Sequence, residues 1–144
     1  MNPNLIKQLR DEEGEVLHAY EDHLGFTTIG VGRLLDKRKG GGISAEESAY
    51  LLYNDISKSE RELDKAIGWW RDLSEPRQAV LLGMAFQMGA AGLLGFKNTL
   101  SMVKSGDYTG AAANILIAKW AKQTPGRAKR MSDQMRLGEW QFKS

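Results

Sequence analysis

The sequence predicts an α+β protein built as one folding unit, and three observations support this. Residues 16–31 are rich in β-branched and aromatic side chains, a composition typical of strands. Apolar residues recur at helical spacing both before this segment and after it. With 144 residues, of which 42% are hydrophobic and 26% charged, the chain has the length and composition of a single globular domain.

The N-terminal segment predicts a short amphipathic helix. Pro3 stands near its start, and Gly14 is expected to end it as the C-cap. Its apolar face is formed by Leu5, Ile6 and Leu9. Glu13 therefore falls on the last turn of this helix.

A β-hairpin is predicted next. The segments VLHAY at 16–20 and FTTIGV at 26–31 are the expected strands, and an acid-glycine turn joins them. The charged and glycine-rich stretch DKRKGGG at 36–42 is expected to be a loop that ends the β region.

Helices are predicted for the rest of the chain. Ser44 and Glu47 form a capping box, and helical spacing of apolar residues continues to about residue 67, which predicts one long helix joining two lobes. The next helix begins at 74–76, contains the nearly all-apolar AVLLGMAFQM and is expected to end at Gly89. Three later helices are expected to start at Asn98, at Asp107 before the run AAANILIAKWAKQ, and at Thr124 with Pro125.

The composition excludes several kinds of chemistry and suggests one kind of partner. No cysteine is present, which excludes disulfides and thiol catalysis, and two histidines make a poor metal site, so we expect no metal and no cofactor. Acidic side chains outnumber basic ones in residues 1–64, whereas basic ones dominate residues 119–144. This asymmetry favours a polyanionic partner, with a solvated helix face as the alternative. The N-terminus has no apolar run typical of a signal peptide.

Glu13 is the candidate general acid. It follows Leu9 by four residues, so we expect its carboxyl on the buried face of the helix, close to the negative end of the helix dipole. A carboxylic acid kept protonated in such surroundings can donate a proton in catalysis. The alternative is an ion pair with Arg10 or with a distant arginine.

Asp22 is the candidate second carboxylate. It lies in the predicted turn after the first strand, where acids are commonly turn formers, and this is the alternative interpretation. Together with Glu13, however, Asp22 would complete the carboxylate pair of a glycosidase, in which one group protonates the leaving oxygen and the other orients a water molecule.

Glycines occupy one face of the second predicted strand. By the two-residue period of a strand, Thr28, Gly30 and Gly32 of FTTIGVG share a face. A face with one hydroxyl and no other side chain leaves room for an extended polymer to bind, and Thr28 could hold a water beside Asp22. Close packing within the sheet, or a bulge, is the alternative.

These residues resemble those of the phage lysozymes of the T-even type. Glu13, Asp22 and Thr28 stand at the spacing of that family's catalytic residues, within EEGEVLHAYEDHLGFTTIGVGRLL, and the similarity continues through FQMGAAGLLGFKNTL and KWAKQTPGRAKR to Trp140. The resemblance implies a lysozyme-like fold with a small N-terminal lobe at about 14–56, a connecting helix at about 44–67, and a helical lobe made of 1–13 with 68–144.

The resemblance also implies an activity. The substrate would be peptidoglycan, cut with inversion at the β-1,4 bond between N-acetylmuramic acid and N-acetylglucosamine. Glu13 would be the general acid, Asp22 and Thr28 would position and activate a water, and Gln87 matches a substrate-contacting glutamine. Such an enzyme would be a monomer with no nucleic-acid partner, and its basic C-terminal region would be weakly attracted to the anionic wall or membrane. It would collect in the host cytoplasm and reach the wall through a holin-type membrane hole.

Two other functions stay open at this point. A lytic transglycosylase needs one acid and no water-positioning partner, so Asp22 and Thr28 argue against it. A wall-binding or nucleic-acid-binding module without catalysis would use the basic tail and show salt-sensitive binding without turnover. The sequence also departs from the family in two places, because Arg33 stands where a histidine is common and the stretch 36–43 is short.

Overall fold

The structure, a computed structural model, describes residues 2–36 and 40–143. Within these residues a small antiparallel sheet follows the first helix and helices form most of the rest, which confirms the α+β class. The predicted loop at 36–42 lies partly outside the described residues. In chain order the elements are α1 (Pro3–Glu13), β1 (Val16–Glu21), β2 (Thr27–Gly30), β3 (Arg33–Leu34), α2 (Ala45–Ala66), a 3-10 turn (Trp70–Asp72), α3 (Glu75–Leu94), α4 (Lys97–Ser105), α5 (Tyr108–Ile117), α6 (Lys119–Gln123) and α7 (Pro125–Leu137).

Helix α1 begins and ends where the sequence predicts. The Asn2 side chain caps its first turn, and the Gly14 N–H donates to the Arg10 carbonyl at 2.9 Å. The expected burial of its apolar face is wrong, because Leu5 is 48% and Leu9 47% exposed and no residue of the helix is buried. The apolar stripe is narrow and flanked by charged side chains, so its periodicity identifies an amphipathic helix without fixing what covers it.

The predicted hairpin is confirmed and is extended by a third strand. The sheet has the order β1-β2-β3 with both pairs antiparallel. Thr28 lies on the central strand, opposite Tyr20 on one side and Leu34 on the other. Strand β3 is two residues long, which is too short for a two-residue alternation to reveal, and the sequence therefore did not predict it.

Helix α2 starts with the predicted capping box. The Glu47 N–H donates to Ser44 Oγ at 3.1 Å, and the Ser44 N–H donates to Glu47 Oε1 at 2.9 Å. The chain divides within this helix into two compact units, one ending at Leu51 and the other beginning at Leu52. The predicted lobe limits, including the place of residues 1–13 in the helical lobe, stay predictions.

The second unit contains an extensive hydrophobic core. The prediction that AVLLGMAFQM lies at its centre is confirmed for Val80, Leu81 and Met84 of α3, which are each at most 1% exposed, but not for Phe86, which is 44% exposed. The three buried residues pack with the buried side chains of Leu63, Trp70, Leu93, Val103, Ile115 and Met135. Within the described residues no single helix is long and apolar enough to cross a membrane, and α3 with α4 qualifies only as a pair bent by 104°.

The predicted helix end at Gly89 coincides with a break in the helical backbone, where φ is 80° and ψ is 158°, and a second helical segment continues α3 to Leu94. Two other predicted helix boundaries are wrong. The N-cap of α4 is Phe96 rather than Asn98, and no side-chain hydrogen bond caps it. The run AAANILIAKWAKQ is not one helix, because Ala118 is extended, with ψ 148°, and separates α5 from α6. The spacing of apolar residues stays helical through Ala118, so the local sequence pattern does not predict the break between α5 and α6.

Two other helix starts are confirmed. The Asp107 side chain caps α5 by accepting a hydrogen bond from the Gly110 N–H at 3.0 Å. Helix α7 begins at Pro125 after Thr124, where the sequence placed it.

Candidate active site

A cavity of about 320 Å³ in the first unit brings the candidate catalytic residues together. Its lining contains Glu13 from the end of α1, Asp22 from the turn after β1, Thr28 from β2 and Gly32 from the turn before β3. Tyr20, Glu21 and His23 complete it. The two candidate carboxylates, Glu13 and Asp22, and the Thr28 hydroxyl thus line one open space, although they come from three different parts of the chain.

Glu13 is the last residue of α1, and it lines this cavity. Its side chain is exposed, so the expectation of a carboxyl on a buried helix face is wrong. The predicted alternative of a pair with Arg10 is not formed either, because Arg10 lies 3.5 Å from Glu15. Among the described residues of the first unit, no cation lies within ion-pair distance of Glu13. The Glu13 carboxyl is therefore open to a ligand on the cavity side.

Asp22 forms the turn that was its alternative interpretation, and it also lines the cavity. Its Oδ1 accepts hydrogen bonds from the N–H groups of Leu24 and Phe26, each at 2.9 Å, and its own N–H donates to the Phe26 carbonyl at 2.8 Å. These bonds make Asp22 the organiser of the turn that joins β1 to β2. They occupy Oδ1 and fix the carboxylate plane, while Oδ2 makes no hydrogen bond within the part of the chain that the structure describes.

Thr28 presents an oriented hydroxyl oxygen. The residue is 4% exposed, and its Oγ1 donates to the Phe26 carbonyl at 2.9 Å. A hydroxyl has one proton and two lone pairs, so an oxygen whose proton is committed in this way acts as an acceptor toward the cavity. Thr28 can consequently accept a hydrogen bond from a water molecule and fix that water's orientation.

The glycines do not lie on one strand face as predicted. Strand β2 ends at Gly30, which has φ 66°, and Gly32 has φ 71°, so both lie in the left-handed region that interrupts strand alternation. Gly32 lines the cavity with Thr28, whereas Gly30 lines a second cavity of about 670 Å³ with Ile29. The prediction of a shared face is thus wrong at Gly30, and a sugar contact at Gly30 stays a prediction.

Arg33 has a partner that the sequence did not reveal. Its guanidinium donates to Glu47 Oε1 at 2.8 Å and to the Gly42 carbonyl at 3.3 Å. The hydrogen bonds from Arg33 and from the Ser44 N–H lower the pKa of Glu47 from its usual 4.5 to about 2. The pair connects β3 to the start of α2, next to the strand that carries Thr28. Only the local capping box could be seen in the sequence, because Arg33 is remote from it along the chain.

The other predicted residue, Gln87, lies on α3 in the second unit and is exposed. Its contact with substrate stays a prediction. Reasoning from the sequence missed Tyr20 as part of the cavity, although its place opposite Thr28 follows from the hairpin register. In residues 2–36 and 40–143 no three His, Asp or Glu side chains are grouped to hold a metal ion, and the expectation of no cofactor stays a prediction.

The fold and this cavity define a class of protein. Two carboxylates in one cavity with a hydroxyl that can orient a water are the kind of site that glycoside hydrolases use. A profile of the phage lysozyme family matches residues 10–135, which is most of the chain and includes all four of Glu13, Asp22, Thr28 and Gly32. The chain therefore belongs to the phage lysozyme family and is a glycoside hydrolase of the lysozyme kind.

Individual proteins that are similar to this chain differ in how much of their own length the similarity covers. The endolysin of Salmonella phage P22 is 31% identical, over 87% of each chain. A Dictyostelium discoideum protein described as a probable T4-type lysozyme is 26% identical, over 96% of each. The pre-baseplate central spike protein of Enterobacteria phage T4 is 32% identical over 91% of this chain, which spans only 28% of the spike protein's length.

Proposed function

We propose that this chain hydrolyses the β-1,4 bond between N-acetylmuramic acid and N-acetylglucosamine in peptidoglycan, with inversion at the anomeric carbon. The observation that carries the proposal is the single cavity lined by Glu13, Asp22 and Thr28. Family membership supports the same reaction class, since the T-even-type lysozymes that the sequence resembles cut this bond.

Each of the three residues has a distinct part in the proposed reaction. Glu13 gives its proton to the glycosidic oxygen as the bond to the anomeric carbon breaks. A water held by Thr28 and Asp22 attacks the same carbon from the opposite side and gives a proton to Asp22. Solvent then restores the proton on Glu13 and removes the one on Asp22. Attack from the opposite side inverts the configuration.

The geometry that inversion needs is testable in a structure with bound substrate. The carboxyl groups of Glu13 and Asp22 should be roughly 6.5–9.5 Å apart, which leaves room for the attacking water, rather than the ~5 Å of a retaining enzyme. That separation is part of the proposal. The location of both groups in one cavity supports it.

A product analysis distinguishes hydrolysis from its two rivals. Purified bacterial cell walls would be digested with the protein, and the masses of the soluble fragments would be measured by mass spectrometry. We expect muramic acid with reducing ends, whereas a lytic transglycosylase would leave anhydro ends, and a binding module would release nothing. The Glu13→Gln variant serves as the matched control for contaminating enzymes.

The basic C-terminal region is proposed to attract the enzyme weakly to an anionic wall. Lys129 and Arg136 lie 3.0 Å and 3.4 Å from Asp133, so part of this charge is compensated locally. Lys119, Lys122, Arg127 and Arg130 have no such partner among the described residues of the second unit. Attraction of this kind is screened by salt, so the rate of wall clearing should fall as ionic strength rises.

The biological role is proposed to be release of phage from the host by a monomeric enzyme. The endolysin of phage P22, which matches over 87% of its length, supports this. The spike protein of phage T4 shares the domain over 28% of its length, which shows that other proteins carry it as one part. Expression in the host cytoplasm with and without a co-expressed holin tests the role. Lysis that needs the holin supports it, and rapid lysis without a holin contradicts the proposed route.

A further inference from the structure

We propose that Gly32 is a positioning residue for Glu13, because the side chain it lacks is the volume that the Glu13 carboxyl occupies. This inference rests on the proposed function, in which Glu13 donates the proton. It separates Gly32 from Gly14, Gly25 and Gly30, which the sequence could not do.

The contact is specific to the carboxyl. A Cβ atom added to Gly32 would lie 2.9 Å from Glu13 Oε2, 3.5 Å from Glu13 Cδ and 3.6 Å from Glu13 Cβ. Carbon and oxygen atoms in van der Waals contact are farther apart than the first of these distances, so one of the two groups would have to move. The glutamate would give way more easily than the backbone, because its side chain is exposed and rotates about single bonds.

Three neighbouring glycines show that this contact is not a general property of the region. Gly14, Gly25 and Gly30 also have positive φ, yet a Cβ added to any of them would have nothing within 4 Å. At these three positions the positive φ alone accounts for glycine. At Gly32 there are two requirements, the φ of 71° and the space for the Glu13 carboxyl.

Displacing the carboxyl should affect the chemical step more than substrate binding. A general acid must lie within hydrogen-bond reach of the oxygen that it protonates, and misplacement by about 1 Å can cost on the order of 10²-fold in rate. The substitution changes none of the other residues that line the cavity, so most groups that could bind a sugar are kept. Loss of position at Glu13 should therefore lower kcat and leave KM nearly unchanged.

The experiment compares Gly32→Ala with Gly106→Ala. Gly106, the C-cap of α4 in the second unit, has φ 85° and open space around its α-carbon, so alanine there introduces backbone strain without a new contact. Rates are normalised to the folded fraction measured by circular dichroism. We expect kcat to fall by about 10- to 100-fold for Gly32→Ala, with KM within about threefold, and to stay near the parental value for Gly106→Ala.

Two further variants separate the contact from backbone strain. Gly32→Asn adds the same Cβ but tolerates positive φ better than alanine, so it tests the contact if Gly32→Ala folds poorly. In a Glu13→Gln background, Gly32→Ala should cause no further loss of kcat, because the proton donor is already gone. Gly30→Ala provides strain in the same loop and should lower kcat less than Gly32→Ala does.

The outcomes distinguish failure of the inference from failure of the proposed function. If Glu13→Gln loses activity but folded Gly32→Ala and Gly32→Asn keep parental kcat, the positioning role is overturned and the proposed function stands. The role is also overturned if Gly32→Ala lowers kcat equally with and without the Glu13 carboxyl. Full activity of Glu13→Gln would instead contradict the proposed function itself.

Discussion

At the scale of single residues, Glu13 provides the most direct mutational test. Replacement by Gln keeps the size of the side chain and removes its acidic proton. We expect clearing of cell walls to slow by about 10²–10⁴-fold, the usual contribution of acid-base assistance. The thermal midpoint should hardly change, because the side chain is exposed and pairs with no cation among the described residues of its unit. Near-parental clearing by the folded variant would contradict the assignment.

Variants of Asp22 separate its role in the turn from its proposed catalytic role. In Asp22→Asn the amide oxygen can still accept from the N–H groups of Leu24 and Phe26, so the turn should survive while activity is lost. Asp22→Ala removes both hydrogen bonds as well, at about 1 kcal/mol each. We therefore expect a lower thermal midpoint for Asp22→Ala than for Asp22→Asn, with both inactive. Equal midpoints would show that the turn does not depend on Oδ1.

The sequence predicted the candidate site at residue level only in part. The spacing of Glu13, Asp22 and Thr28 selected three residues that do line one cavity. The shared glycine face was wrong because alternation assumes continuous extended backbone, and Gly30 leaves it with φ 66°. The exposure of Glu13 could not be foreseen, since helical spacing relates Glu13 to Leu9 but does not say what packs against them.

At the scale of secondary structure, the ion pair of Arg33 with Glu47 predicts a pH dependence. The folded-state pKa of Glu47 is lowered from 4.5 to about 2. A lowered pKa means that the ionised form is favoured by folding, so this contribution to stability is fully present above about pH 4.5 and is lost as pH falls toward 2. Because both side chains are exposed, we expect a small effect.

The Glu47→Gln variant measures that effect. Its amide oxygen can still accept from the Ser44 N–H, so the capping box is kept while the charge is lost. Between pH 2 and 4.5 its thermal midpoint should depend less steeply on pH than that of the parent. Arg33→Gln is the matched control and should reduce the same slope. Identical slopes in all three proteins would contradict the contribution of the pair.

Element boundaries followed from the sequence where a local signal exists. Gly14, the capping box at Ser44, Asp107 and Pro125 each mark an end by their own backbone or side-chain chemistry, and each was predicted correctly. Phe96 caps α4 without a side-chain hydrogen bond, and Ala118 breaks a continuous helical pattern. Such boundaries depend on tertiary packing, which a local pattern does not contain.

At the scale of the whole molecule, stability should depend strongly on the core of the second unit. Leu81 on α3 is 0% exposed, so Leu81→Ala should lower the free energy of unfolding by about 2–5 kcal/mol. Leu94, at the end of the same helix, is 40% exposed and makes a matched control that should lose clearly less. Urea denaturation of both variants measures the difference. Equal losses would contradict the central position of α3.

The central claim is that Glu13 and Asp22 act across a bound water, and the configuration of the first product tests it most directly. A chitin-type or peptidoglycan oligosaccharide with β-1,4 linkages would be cleaved in an NMR tube, and the anomeric proton of the new reducing end would be followed from the start of the reaction. The account predicts that the α-anomer forms first and then equilibrates with the β-anomer, since water attacks from the opposite face. Initial formation of the β-anomer, or of an anhydro sugar, would contradict the account.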